Sequence, residues 1–342
     1  MHRPVSVLAG VAVHLPEERI SSSGVEQRVA AASDGFVPPA GSVQRLTGVQ
    51  HRYVMPDDWQ ASDLAVAAAR KLLADTGTAA AEVDLLIFAS ASQDMIEPAT
   101  AHIVSAKLGL GCPVFDVKNA CNSVLNALEI ADALITSGRY QRVLIACGEA
   151  PSRAIRWVVP DLASYCSAFP GYTLSDAGAA LLLCRADAGP GSAGPGVLGF
   201  GFTAQSNAWE VGTLPAGGSA HPRDVEYSYF RMDGARLKEA FAALGPQALD
   251  DTLGRLGLAW NDFAIVGLHQ VSLPYLEELR TRIGIDAEKL VVTLAEHGNL
   301  ASASLPLQLC AAMQAGRAGP GDLIALVGLG GGISVGIAVI RL

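Results

Sequence analysis

The chain has 342 residues, half of them hydrophobic and 17% charged, a balance that supplies a large buried core and excludes disorder as the main state. Its formal net charge of −9 argues against a nucleic-acid footprint. Six cysteines in a chain this long, with no CxxC pair, make neither a disulfide framework nor a structural zinc site.

Taken in order, Val5–Val13 reads as a strand, and Asp63–Asp75 as a helix with Ser62 as its N-cap. Val83–Ala91 is a short apolar run with the look of a buried strand, and Ala99–Leu108 is helical. Pro113–Val117 is a strand, Ser123–Ser137 a helix, Arg142–Gly148 a strand and Leu181–Cys184 another. The second half repeats the rhythm with helices at Arg236–Leu244, Pro274–Ile283 and Ser302–Ala315. Strands are expected there at Ala264–His269, Val291–Leu294 and Leu323–Leu329. This alternation predicts βαβ units and a largely parallel sheet. Leu323–Ile340 carries no charge, but its glycines and β-branched residues fit two buried strands joined by a turn better than a membrane span. Gly212–Pro222 and part of Ile155–Gly171 read as loops that shape a pocket mouth.

VDLLIFASAS (Val83–Ser92) echoes FAIVGLHQVS (Phe263–Ser272), and RVLIACGEA (Arg142–Ala150) echoes LIALVGLGG (Leu323–Gly331). These echoes hint at a duplication, with a flexible linker by composition at Ala186–Gly199. The halves are then 1–187 and 188–342. Met1–Gly10 has no apolar stretch behind a basic start, so a reducing cytoplasmic location is expected.

Cys121 follows an apolar strand and precedes an amphipathic helix, a position whose free amides and dipole favour the thiolate. Its plain alternative is a cysteine that only packs. His269 ends a buried strand, where α/β sheets place working groups, or is a satisfied core histidine. Asn299 lies in AEHGNLASASLP as a donor or as a turn residue beside Gly298; His297 is ambiguous. Together Cys121, His269 and Asn299 suit acyl transfer, with the thiolate attacking a thioester and the other two donating to the oxyanion. Gly328–Gly332 offers bare backbone amides or a plain tight turn. It opens no helix and has no acidic residue after it, which disfavours a dinucleotide loop. The papain-type signature is absent around Cys121, which argues against a cysteine protease.

These residues resemble the thiolase superfamily, specifically its ketoacyl synthase III branch. The resemblance runs from LTGVQHRYV (Leu46–Val54) through DVKNACNSVLNAL, HQVS and EHGNLASASLP to the terminal GLGGGISVGIAVIRL. It implies an α/β, thiolase-like duplicated αβαβα five-layer sandwich, a homodimer and an acyl–Cys121 intermediate. It further implies that His269 and Asn299 hold the second thioester, that the amides of Cys121 and Gly331 form the other oxyanion hole, and that Asp176 marks a structural turn. No cofactor, metal, nucleic acid or membrane span is implied, only acyl-CoA or acyl-carrier-protein thioesters as substrates.

Departures point to a subgroup. Ser272 stands where priming synthases commonly carry the asparagine of HQAN, and Pro274 where some carry an arginine. Ser42 and Leu46 stand where a tryptophan and an arginine grip coenzyme A, so those contacts do not transfer. Glu97, before Pro98, replaces the usual phenylalanine that reaches into the partner's pocket. The pattern is similar to the acyl-CoA-condensing enzymes of bacterial olefin and β-lactone synthesis, which join two acyl chains without losing carbon dioxide. Such a Claisen step needs a base for the α-proton, and a pocket carboxylate suits it. Glu97 is then the expected base, or else a solvated carboxylate near a helix start. The alternatives are a decarboxylative synthase using malonyl thioester, an acyltransferase with an alcohol or amine acceptor, and a silent subunit of a heterodimer.

Overall fold

The computed structural model describes residues 3–188 and 194–342. Its first strands are β1 (Arg3–His14), β2 (Glu18–Ser21), β3 (His51–Val54), β4 (Leu85–Ala89), β5 (Val114–Val117), β6 (Arg142–Glu149) and β7 (Ala177–Ala188). Then come β8 (Gly196–Ala204), β9 (Gly212–Thr213), β10 (Arg231–Met232), β11 (Ile265–Leu268), β12 (Leu323–Gly330) and β13 (Ser334–Arg341). One sheet has the order β1-β7-β6-β4-β5 and a second the order β11-β12-β13-β8. β2 pairs with β3, and β9 with β10, as small antiparallel ribbons.

The strands are continuous apolar runs because both faces of each sheet are covered. Leu85, Ile87, Val143, Ile145, Leu181 and Leu183 point to one side of the first sheet. There they meet the helices Ser123–Thr136 and Ser304–Gln314, whose far side packs on Ile324, Leu326, Ala338 and Ile340 of the second sheet. The alternate residues Leu86, Phe88, Leu144 and Leu182 face the helices Ala61–Thr76 and Thr100–Leu108. On the second sheet, Val327, Leu329, Ile337 and Val339 face the helices Gly234–Leu244, Gln247–Leu256 and Leu273–Ile283. The result is the five-layer α/β sandwich that the resemblance implies. The alanine-rich helix Ala61–Thr76 lies against the sheet backbone. A Cβ on Gly148 would come 1.8 Å from the Ala61 carbonyl oxygen, and one on Gly178 1.9 Å from that of Leu64.

The echoed segments occupy matching places. β4 runs parallel beside β6 as β11 does beside β12, and β6 and β12 each pair antiparallel with the following strand. The expectation of a largely parallel sheet is corrected: only β6-β4-β5 and β11-β12 are parallel, and the long strands β1, β7, β8 and β13 pair antiparallel. Local hydrophobicity does not encode strand direction, and a strand buried on both faces looks the same in either. Leu323–Ile340 is the β12–β13 hairpin; among the described residues no helix is long and apolar enough to cross a membrane.

Smaller corrections follow from pairing and capping. Ser62 is not the N-cap; Gln60 is, with the Asp63 carboxylate accepting from its N–H at 2.9 Å. Val291–Leu294 forms no strand, since only the Val291 N–H reaches β11, and Leu294 opens the short helix Leu294–His297. Of the expected linker, residues 186–188 end β7 and 196–199 open β8, while 189–193 lie outside the described residues.

Candidate active site

The carboxyl ends of β5, β6, β11 and β12 converge on one cavity of about 960 Å³. Cys121, Glu149, His269, Asn299 and Gly331 all line it. The remaining wall is largely apolar, with Leu214, Phe230, Met232, Leu237, Phe241 and Leu329. Both expected loops contribute, Gly212–Pro222 through Leu214 and His221, and Ile155–Gly171 through Phe169 and Pro170. Each is less irregular than expected, holding β9 and the helix Leu162–Ala168 respectively.

Cys121 sits on a closed turn between β5 and the helix Ser123–Thr136. The Asn119 N–H donates to Ser123 Oγ at 2.8 Å, and that hydroxyl donates to the Ala120 carbonyl at 2.7 Å. Ala120 has φ of +46°, a strained value for a residue with a side chain, and it aims the next residue into the cavity. Asn122, the helix N-cap, donates from Nδ2 to Ser334 Oγ at 2.9 Å and ties the turn to β13. The helix terminus does not leave a thiolate, contrary to the expectation from position alone. Burial, then the charge of Glu149, pushes the Cys121 thiol up to about 12.

His269 follows β11, its N–H donating to the Val327 carbonyl at 2.9 Å. Gln270 locks this strand end, donating to the Val291 carbonyl at 2.7 Å and accepting from Leu294 N–H at 3.0 Å. Ser272 caps the helix Leu273–Ile283 by accepting from Tyr275 N–H at 3.3 Å, so this departure from HQAN has a structural use. Burial lowers the imidazole to about 4. Nδ1 is buried and without a partner among the described residues, which leaves Nε2 to face the cavity. His269 is thus a neutral donor rather than a cation. Asn299 Oδ1 accepts from Ala301 N–H at 3.0 Å, so its Nδ2 is the donor side of the amide and has no partner among the described residues. His297 turns away, its Nδ1 against the Thr293 carbonyl and its ring near Tyr53.

Gly331 approaches the nucleophile's turn: a Cβ on it would lie 3.4 Å from Ala120 Cβ. Asp176 is buried and accepts from Met55 and Ser152 N–H groups at 2.9 Å each, a structural clasp. Glu97 is exposed in the loop after β4 and does not line the cavity of its own chain. Its neighbour Ile96 packs close to Gly217, a residue of the cavity wall.

Glu149 escapes the reading of the sequence. It is fully buried at the end of β6, and burial raises its carboxyl above the ordinary range against the hydrogen bonds that lower it. The available signal was an acidic residue closing an otherwise apolar strand at its carboxyl end.

Residues 115–201 match the 3-oxoacyl-(acyl-carrier-protein) synthase III family, and residues 253–342 its C-terminal part. A β-ketoacyl-(acyl-carrier-protein) synthase III of Rhodospirillum rubrum is 33% identical over 340 residues, covering 98% of this chain and 99% of that one. One from Rhodospirillum centenum is 32% identical over 338 residues, covering 98% of each chain. The chain belongs to the synthase III family. Among solved structures, Xanthomonas campestris OleA superposes over 100% of this chain and 100% of its own, with a TM-score of 0.87 and 27% identity. An OleA structure with bound lauric acid and lauroyl-CoA matches at the same TM-score over 99% of each chain. As a synthase III family member of the thiolase fold, the protein is an acyltransferase of the carbon–carbon condensing class.

Proposed function

We propose that this condensing enzyme joins two acyl thioesters without releasing carbon dioxide. Residues 1–187 contribute the nucleophile, and 188–342 the histidine and asparagine. In this reading Cys121 Sγ attacks the first acyl thioester and displaces its thiol. The amides of Cys121 and Gly331 receive the oxyanion. The second acyl thioester is held by His269 Nε2–H and Asn299 Nδ2–H, which stabilise its enolate. Glu97 of a partner subunit takes the α-proton, the carbanion attacks the acyl carbon, and Cys121 leaves with the β-ketoacyl product formed. No metal or organic cofactor enters these steps.

The observation that carries the reading is the joint presence of Cys121, His269 and Asn299 on one large apolar cavity. OleA's likeness over the whole chain supports the non-decarboxylative form, and so does Glu97 before Pro98. Structures of OleA variants at a cysteine, a histidine and a glutamate mark the same three residue types. The exposure of Glu97 outside its own cavity fits a homodimer in which each copy completes the other's site. The decarboxylative alternative draws on the names of the Rhodospirillum relatives.

Incubation with lauroyl-CoA, with and without malonyl-CoA or malonyl carrier protein, separates the two. A β-keto product from lauroyl-CoA alone supports the proposal; product only with malonyl thioester and release of carbon dioxide overturns it. Glu97→Ala is expected to accept the acyl group and fail to condense.

A further inference from the structure

When a thiol attacks a thioester, its proton must go somewhere. Besides Cys121, the buried titratable side chains of the cavity lining are His269, Glu149 and Tyr275, and burial pushes the Tyr275 phenol up to about 12, so it already holds its proton. His269 is held neutral by burial and is a weak base. Glu149 is placed differently. Its Oε1 accepts from Ala91 N–H at 2.9 Å and Ser302 N–H at 3.2 Å, with Cys147 Sγ at 4.0 Å. Its Oε2 accepts from Ser92 Oγ at 3.1 Å, and a carboxylate oxygen with one such bond has room for a further proton. Ser302 bridges the carboxylate to the nucleophile's turn, because its hydroxyl donates to the Ala120 carbonyl at 2.6 Å. Ser92 in turn accepts from Ala150 N–H at 2.9 Å, so the carboxylate is fixed from both sides.

We propose that Glu149 is the proton acceptor for Cys121 in the acyl-loading step. A bond forms between Cys121 Sγ and the acyl carbon, and the bond from that carbon to the donor sulfur breaks. The Sγ proton passes to the Glu149 carboxylate and then to the departing thiolate, which leaves as free thiol. The groups facing the carboxylate are Cys147 on its own strand, Cys121 on the turn, Ala91 and Ser92 after β4, and Ser302 after Asn299. None of them is a cation that would bind the proton's destination. The inference rests on Cys121 as the acyl carrier and is independent of the second substrate. Peptide mass mapping of the adduct in the unaltered protein tests that premise separately.

The test compares two reactions of Cys121 in the full-length protein. Single-turnover loading from lauroyl-CoA needs a proton acceptor. Alkylation by iodoacetamide at pH 9 needs only a thiolate. In Glu149→Gln, loading at pH 7 is expected to slow about 10²-fold. Alkylation is expected to accelerate, because a negative charge that opposes the thiolate is gone. Changes in the same direction, or no change in loading, overturn the proposal. Glu149→Asp keeps the carboxylate and is expected to recover loading to within about tenfold of the original rate; a folded Asp variant as slow as the Gln one overturns it. The unaltered protein supplies a third reading. Loading is expected to reach a plateau with pH once Glu149 is ionised, whereas a rate rising tenfold per pH unit up to pH 10 means that the thiol ionises unaided.

Discussion

β6 and β12 hold matching places in the two sheets, yet they end in opposite chemistry. Each lies between one parallel and one antiparallel neighbour. β6 ends in a buried carboxylate, Glu149, whereas β12 ends in Gly330 and is followed by Gly331, both without a side chain. The same contrast separates the halves. The first brings the thiol and the buried acid; the second brings a neutral imidazole, a carboxamide and glycine amides. A duplicated sheet fixes where strand ends converge, and in the proposed reading the residues at those ends divide the work into proton-bearing groups on one side and neutral donors on the other.

Substitutions on either side break this division in order of size. Cys121→Ala is expected to abolish the lauroyl adduct and lower condensation by at least about 10³-fold, read by intact mass and product formation. On the other side, His269→Ala or Asn299→Ala is expected to cost about 10²–10³-fold in condensation. Loading is expected to be affected much less, because the proposed reading gives that step to the Cys121 and Gly331 amides. A loading defect as large as the condensation defect would falsify the division.

Acid and base behaviour sharpens the contrast through stability. The His269 ring binds a proton below about 6.5 when unfolded but only near 4 when folded. Its contribution is therefore complete above pH 6.5 and lost as pH falls toward 4, by up to about 3 kcal/mol. Glu149 has the opposite sign. Its folded pKa lies above the ordinary 4.5, so stability is lost as pH rises through that raised value. Urea denaturation from pH 4 to 8 should show His269→Gln flattening the acid side. Glu149→Gln should remove the fall in stability that this carboxyl imposes as pH rises above 4.5.

Packing at the β12 end gives a further expectation. A Cβ on Gly328 would lie 2.0 Å from Asn122 Oδ1 and 2.8 Å from Leu125 Cδ1, both on the other half. Gly328→Ala is expected to lower stability by about 2–3 kcal/mol. The smallest effect falls at Gly332, which has φ of +80° and nothing within 4 Å of an added Cβ. Gly332→Ala should cost about 1 kcal/mol from backbone strain alone. Equal midpoints for the two variants would mean that the close approach of Asn122 to β12 does not constrain the fold.

Much of this was legible beforehand where the signal is local. The helices Ser123–Thr136 and Leu273–Ile283, the strand Arg142–Glu149 and the glycine-broken hairpin at 323–341 follow from periodicity, apolar runs and breakers. The start of β8 was hidden because Gly196 and Gly199 read as linker, although a helix packs on this strand; a Cβ on Gly199 would meet Leu256 Cδ2 at 3.5 Å, and one on the next outward glycine, Gly201, Thr252 Oγ1 at 1.9 Å. Leu181–Cys184 was a fragment of β7, whose start at Ala177 is too poor in large apolar residues to register.

By itself the sequence determined two apolar strand sets, the echo between them, and a cysteine, a histidine and an asparagine each placed beside a strand end. Those depend on residue type and spacing along the chain. Tertiary structure alone decided the mixed strand directions, the neutral state of Cys121 and His269, and the presence of Glu149 among them. Pairing partners and desolvation depend on what lies nearby in space, and Glu149 is 28 residues from Cys121 in the chain but one serine away in the fold.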